Sequence, residues 1–102
     1  MKLKGFDETL FKHLQDPEFA VAYLQDAYED SMEEFLVALR KYVQANGGIK
    51  RCAEDANLTR EAVYRMLSEN GNPELRSVDA ILKAYGLRFG ILQAEHSETQ
   101  AA

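Results

Sequence analysis

At 102 residues, with 46% hydrophobic and 28% charged content, the chain has the size and make-up of one soluble globular domain, with too little sequence for a second independent core. No apolar run approaches the roughly 20 residues that cross a bilayer, and Met1 to Phe6 lead straight into Asp7 and Glu8 with no apolar leader, so a cytoplasmic protein without membrane contact is expected. The net charge of −5 argues against indiscriminate nucleic-acid binding, and a lone cysteine, Cys52, excludes an internal disulfide or a cysteine-rich zinc cluster.

In chain order, Asp7 is expected to cap a short helix with Leu10, Phe11 and Leu14 on one side. Asp16-Pro17 then reads as a cap followed by proline at the first helical position. The helix it opens carries Phe19, Ala20, Tyr23, Leu24, Ala27 and Tyr28 at spacings of three and four, up to about Glu29. Ser31-Met32-Glu33-Glu34 has the form of a capping box, in which a hydroxyl and a carboxylate satisfy free amides of a third helix. Met32, Phe35, Leu36, Leu39 and Val43 line one face of that helix, and Asn46-Gly47-Gly48 end it with residues that tolerate the left-handed conformation.

Two short helical pieces follow, Ile49 to about Ala56 and Arg60 to about Glu69, and Asn70-Gly71-Asn72-Pro73 makes a strong turn. Ser77 is expected to cap a helix presenting Val78, Ile81, Leu82 and Tyr85 and stopped by Gly86. Leu87, Phe89 and Ile91 alternate with Arg88, Gly90 and Leu92, the pattern of one short strand, and His96 to Ala102 read as a loose tail. The fold expected is mainly α, with residues 1–30 an acidic helical extension packed on the domain, 31–93 the domain proper and 94–102 a flexible tail.

Charge divides the chain. Before Gly48, Asp7, Glu8, Asp16, Glu18, Asp26, Glu29, Asp30, Glu33 and Glu34 outnumber Lys2, Lys4, Lys12, Arg40 and Lys41. From Ile49 to Gln93 the bases slightly outnumber the acids, so a locally basic surface can form there.

The segment Ile49 to Ser68 carries the chemistry. Two helices that cross steeply through a tight turn need small or apolar side chains where their backbones approach. Cys52, Ala53 and Ala56 supply small inward groups, Leu58 plugs the corner, and Val63, Met66 and Leu67 hold the second helix. Asn57 stands where positive φ is required, and Thr59 caps the second helix. Helical geometry then turns Arg60, Glu61, Tyr64, Arg65 and Ser68 outward. Arginine can offer two donors to guanine, glutamate can accept from cytosine, and tyrosine can touch a phosphate or a thymine methyl. Lys50 and Arg51 stand where a helix-turn-helix meets the phosphate backbone. A bare helical hairpin with a solvated outer face fits the same pattern. Cys52 reads as a small core residue, and His13 and His96 as incidental, with no metal or cofactor spacing and no nucleophile paired with a base, so neither cofactor nor enzymatic activity is expected.

Leu58 through Ser68, followed by Gly71-Asn72-Pro73 and Ala84-Tyr85-Gly86-Leu87, and upstream by Asp16-Pro17-Glu18 and Tyr23-Leu24, resemble the addiction-module antidote proteins, antitoxins with a phage-repressor-like, Xre-type helix-turn-helix. The resemblance covers about Phe6 to Ile91. It implies a bacterial antitoxin that binds a small mRNA-cleaving toxin of the RelE or HigB type and represses its own operon on double-stranded operator DNA. Thr59, Arg60, Glu61, Tyr64 and Arg65 are the matching recognition positions. Asn57, where many such proteins have glycine, and the long acidic N-terminal half are departures, and the acidic helices are either a toxin-binding surface or a solvated extension of the core. A homodimer on a palindrome with half-sites roughly 34 Å apart is expected, with Leu87 to Leu92 a candidate interface that pairs with a second chain, with a toxin strand or back on its own chain. Two alternatives are an Xre-family regulator with no toxin partner and an interaction module that has lost DNA binding.

Overall fold

The computed structural model describes the backbone of residues 4–68 and 70–94, in which the regular elements are six helices: α1 (Lys4–Leu14), α2 (Pro17–Asp30), α3 (Met32–Ala45), α4 (Gly48–Ala56), α5 (Arg60–Met66) and α6 (Leu75–Ala84). Among the described residues none is long and apolar enough to cross a membrane.

Local signals place most of the boundaries. Asp16 is extended and Pro17 takes the first helical position of α2, although the Asp16 carboxylate makes no capping bond. Ser31 closes one helix and opens the next. Its amide donates to the Ala27 carbonyl at 3.1 Å, and its hydroxyl accepts from the Glu34 amide at 3.0 Å, so half of the expected capping box is made. With one residue between them, α2 and α3 fold back on each other, and α3 also packs against α1 and α4 while α4 packs against α5 and α6. The resulting core is one cluster: Leu14, Leu39, Val43, Cys52, Val63, Leu67 and Ile81 are fully buried.

The left-handed exit from α3 falls on Gly47 (φ 112°) and Gly48 (φ 87°), while Asn46 stays at φ −121°. Asn46 does something else. Its side-chain amide donates to the carbonyls of Leu14 at 3.2 Å and Tyr42 at 2.9 Å, and the Gln15 amide reaches the Ala45 carbonyl at 3.1 Å, so the ends of α1 and α3 are tied together.

Several expectations are corrected. α1 already runs from Lys4, which puts Asp7 inside the helix rather than at its cap. α6 starts at Leu75 with Glu74 as its cap residue, so Ser77 lies in the first turn, and α5 stops at Met66 instead of continuing to Glu69. Met32 and Tyr28, expected in the core, are about half exposed at 53% and 51%, because both lie at the α2–α3 turn, beyond the length over which the two helices cover each other. Ala38, Tyr42 and Ala45 are buried in addition, since α3 is packed from three sides.

The expected strand is absent: no strand forms among the described residues, and 87–94 is an irregular arm. Its alternation survives only as burial. Leu87 and Phe89 rest half-buried on the core and Arg88 and Gly90 face solvent, with the Phe89 ring 6.5 Å from that of Phe35, but Ile91 is fully exposed. A strand needs a neighbour for its amides and carbonyls, and this fold offers it none. His96 to Ala102, expected as a tail, lie outside the described residues.

Candidate nucleic-acid interface

The corner between α4 and α5 is built by backbone chemistry. Asn57 adopts φ 60°, ψ 45°, the left-handed conformation asparagine tolerates. Its amide then donates to the Glu54 carbonyl at 3.3 Å and the Leu58 amide to Ala53 at 2.9 Å, which satisfies the free carbonyls at the end of α4. Leu58 is half-buried in the bend. Thr59 is extended, and its hydroxyl accepts from the Ala62 amide at 3.0 Å, which starts α5.

Beneath the corner, Cys52 and Ala53 from α4 and Val63, Met66 and Leu67 from the α5 region are all buried, so α5 is held by its inner face. The outer face presents Arg60, Glu61, Tyr64 and Arg65 to solvent, with Tyr64 66% exposed. None of these four is in an ion pair or side-chain hydrogen bond with another described residue; Glu61 and Arg65 are four apart yet unpaired. Thr59 and Ser68 differ from them. The Thr59 hydroxyl is occupied as a cap, and the Ser68 hydroxyl, half-buried, donates to the Arg65 carbonyl at 2.7 Å and closes the end of α5. On α4, Lys50 is exposed, and Arg51 lies 3.5 Å from Asp55 in an exposed pair of the kind that contributes little.

Leu75 (71% exposed) and Arg76, at the start of α6, are exposed side chains beyond those expected. They escaped notice because Ser77 was taken for the cap; Pro73, just ahead of the true first turn, was the available signal. Gly71 holds that approach tight, since a Cβ there would collide with the Met66 carbonyl.

Behind the corner, burial pushes the Cys52 thiol up from its ordinary pKa, with Asp55 adding to the rise, so the thiol stays protonated and is neither nucleophile nor ligand. The hydroxyl of Tyr85 is shielded from solvent and makes no hydrogen bond of full geometry; the thiol of Cys52 is a weak partner for it. Burial raises the Tyr85 pKa strongly as well, and its ring meets Tyr42 edge-on at 4.8 Å. Among the described residues no group of three or more histidine, cysteine or acidic side chains is placed to hold a metal. On the opposite half, α2 and α3 flank an open groove of about 460 Å³ with Asp26, Glu29, Asp30 and Glu34 around it and Lys41 as its cation.

A small helical protein with a capped helix whose outer face is charged and unpaired is thus in place. The sequence pattern of the family described as probable addiction module antidote protein matches residues 2–93, and the chain belongs to that family. An uncharacterized protein of Haemophilus influenzae (strain Rd) is 35% identical over 94 residues, 91% of this chain and 94% of that protein. No solved structure matches.

Proposed function

We propose that the chain is the antitoxin of a type II toxin–antitoxin module, which binds operator DNA through α4 and α5 as a helix-turn-helix of the Xre type and neutralises an mRNA-cleaving toxin of the RelE or HigB class. It acts in the cytoplasm, by binding rather than catalysis. The family supplies a toxin partner in general. The observation that carries the DNA half is the outer face of α5: two arginines, a glutamate and a tyrosine, exposed and without intramolecular partners on a helix whose inner face is locked into the core. In this proposal Arg60, Glu61, Tyr64 and Arg65 meet base edges and phosphates in the major groove, Thr59 and Ser68 set the ends of the helix, and Lys50 and Arg51 contact the phosphate backbone. Arg51 gives up little by leaving Asp55, because that pair is exposed.

The net charge of −5 makes salt dependence informative. Specific binding by a few arginines falls with salt in proportion to the phosphates neutralised, while an acidic chain gains little from unspecific attraction. The test is binding of the purified protein to its own upstream promoter DNA against scrambled DNA across a salt series. Saturable, selective binding that Arg60→Ala/Arg65→Ala abolishes is expected. Equal affinity for both DNAs at low salt would sink operator reading by the free protein, and co-purification of a toxin would then be the remaining half to examine.

A further inference from the structure

Four of the most exposed large apolar side chains gather at the end of the molecule away from the polar face of α5. Tyr28 stacks edge-on against Phe35 at 5.8 Å, Phe35 meets Phe89 at 6.5 Å, Met32 lies one helical turn before Phe35, and Ile91 and Leu92 follow Phe89 on the arm. Ile91 is 100% exposed and Leu92 76%, with Tyr28 and Met32 about half exposed. The backbone of 88–94 makes no hydrogen bond to another described residue. Unpaired extended backbone beside exposed apolar side chains is a surface that pairs with another chain.

We propose that this surface, the arm Leu87 to Ala94 with Tyr28 and Met32, is where a second copy of the chain docks, the two arms pairing about a two-fold axis. This rests on the proposed operator binding only in its consequence, that two α5 faces are then presented to one DNA site. Three observations favour a copy over other occupants. Residues 95–102, Glu-His-Ser-Glu-Thr-Gln-Ala-Ala, hold no large apolar side chain, so the following stretch of this chain has nothing with which to fill the patch. The one charge on the arm is Arg88, exposed and without an ion pair among the described residues, while the acids Glu29, Asp30 and Glu33 flank Tyr28 and Met32. A basic partner would meet Arg88 as a like charge, whereas a two-fold mate brings its acidic corner to Arg88, and the reverse, so that the charge complementarity occurs twice. The four side chains expose on the order of 500 Å², and the arm backbone adds to this, which approaches the roughly 800 Å² per partner of a standard interface.

Sedimentation of the full chain from micromolar to high-micromolar concentration tests this. The wild type is expected to dimerise, and Ile91→Glu/Leu92→Glu to weaken the dimer at least about tenfold without moving the thermal midpoint, since neither side chain touches the core. Arg88→Glu should weaken it too and reduce its salt dependence. A wild type that stays monomeric throughout would overturn the proposal, even if Ile91→Glu/Leu92→Glu abolished capture of a toxin. So would a dimer that the double variant leaves intact. The two proposals fail separately: a dimer with no operator selectivity sinks DNA reading alone, and full-affinity operator binding by a monomer sinks the dimer alone.

Discussion

The outer face of α5 and the arm after α6 are both exposed and both anchored from beneath, α5 by Val63 and Met66, the arm by Leu87 and Phe89. They differ in what they leave unsatisfied. A helix closes its own hydrogen bonds, so α5 offers side chains only, charged and well hydrated, suited to a charged groove that strips little water from them. The arm leaves backbone donors and acceptors open next to Ile91 and Leu92, which suits another polypeptide. One chain thereby presents two chemically distinct surfaces without needing two domains.

The largest expected effects break the anchors. Met66→Ala, at a site 5% exposed, should cost about 2–5 kcal/mol and release α5, whereas Phe89→Ala, only half-buried, should cost about 1–2 kcal/mol and loosen the arm while α5 stays in place. Urea unfolding read beside DNA binding and dimerisation separates the two. Equal losses of both activities in both variants would show that the surfaces are not independent. Gly71→Ala follows: forcing a Cβ against the Met66 carbonyl should cost about 1–3 kcal/mol by the same unfolding measurement and displace the start of α6.

Smaller effects sharpen the distinction. Thr59→Ala removes the hydroxyl that accepts from Ala62 and should cost about 1 kcal/mol, weakening DNA binding through fraying of α5 and leaving dimerisation untouched. Arg60→Ala/Arg65→Ala should change stability by less than about 0.5 kcal/mol while removing promoter selectivity; a large drop in melting temperature instead would mean that the two arginines serve the fold.

Alkali distinguishes the corner from the arm at no cost at neutral pH. Cys52 and Tyr85 are neutral near pH 7 in both folded and unfolded chains, but burial raises both pKa values in the fold. As pH climbs past the ordinary thiol value of about 8.5 and the phenol value of about 10, the unfolded chain sheds protons that the folded chain keeps, and stability falls. Tyr85→Phe should flatten the upper part of that decline in a series of thermal midpoints against pH, and at pH 7 it should be neutral or slightly stabilising, since it deletes a buried hydroxyl with no good partner. An unchanged slope would place the alkaline sensitivity elsewhere.

Much of this protein was legible in the residues alone, wherever a signal acts over a few positions. Helical periodicity located the six helices, Asp16-Pro17, Ser31 and Thr59 marked the beginnings of three of them, and Asn57 marked the left-handed corner. The inward set Cys52, Ala53, Val63, Met66 and Leu67 followed from the close approach of α4 and α5, and with it the outward set Arg60, Glu61, Tyr64 and Arg65. These are determined by sequence because a helix makes its bonds within itself and an N-cap reaches only three residues. Tertiary structure decided what depends on distant neighbours: that Asn46 ties α3 to α1 by reaching Leu14, that Met32 and Tyr28 fall past the end of the α2–α3 contact, and that Ser68 turns back on its own helix. It also decided the arm, since alternation in 87–92 specifies a side for each residue but no partner strand, and hydrogen bonds between strands exist only where a second strand is supplied.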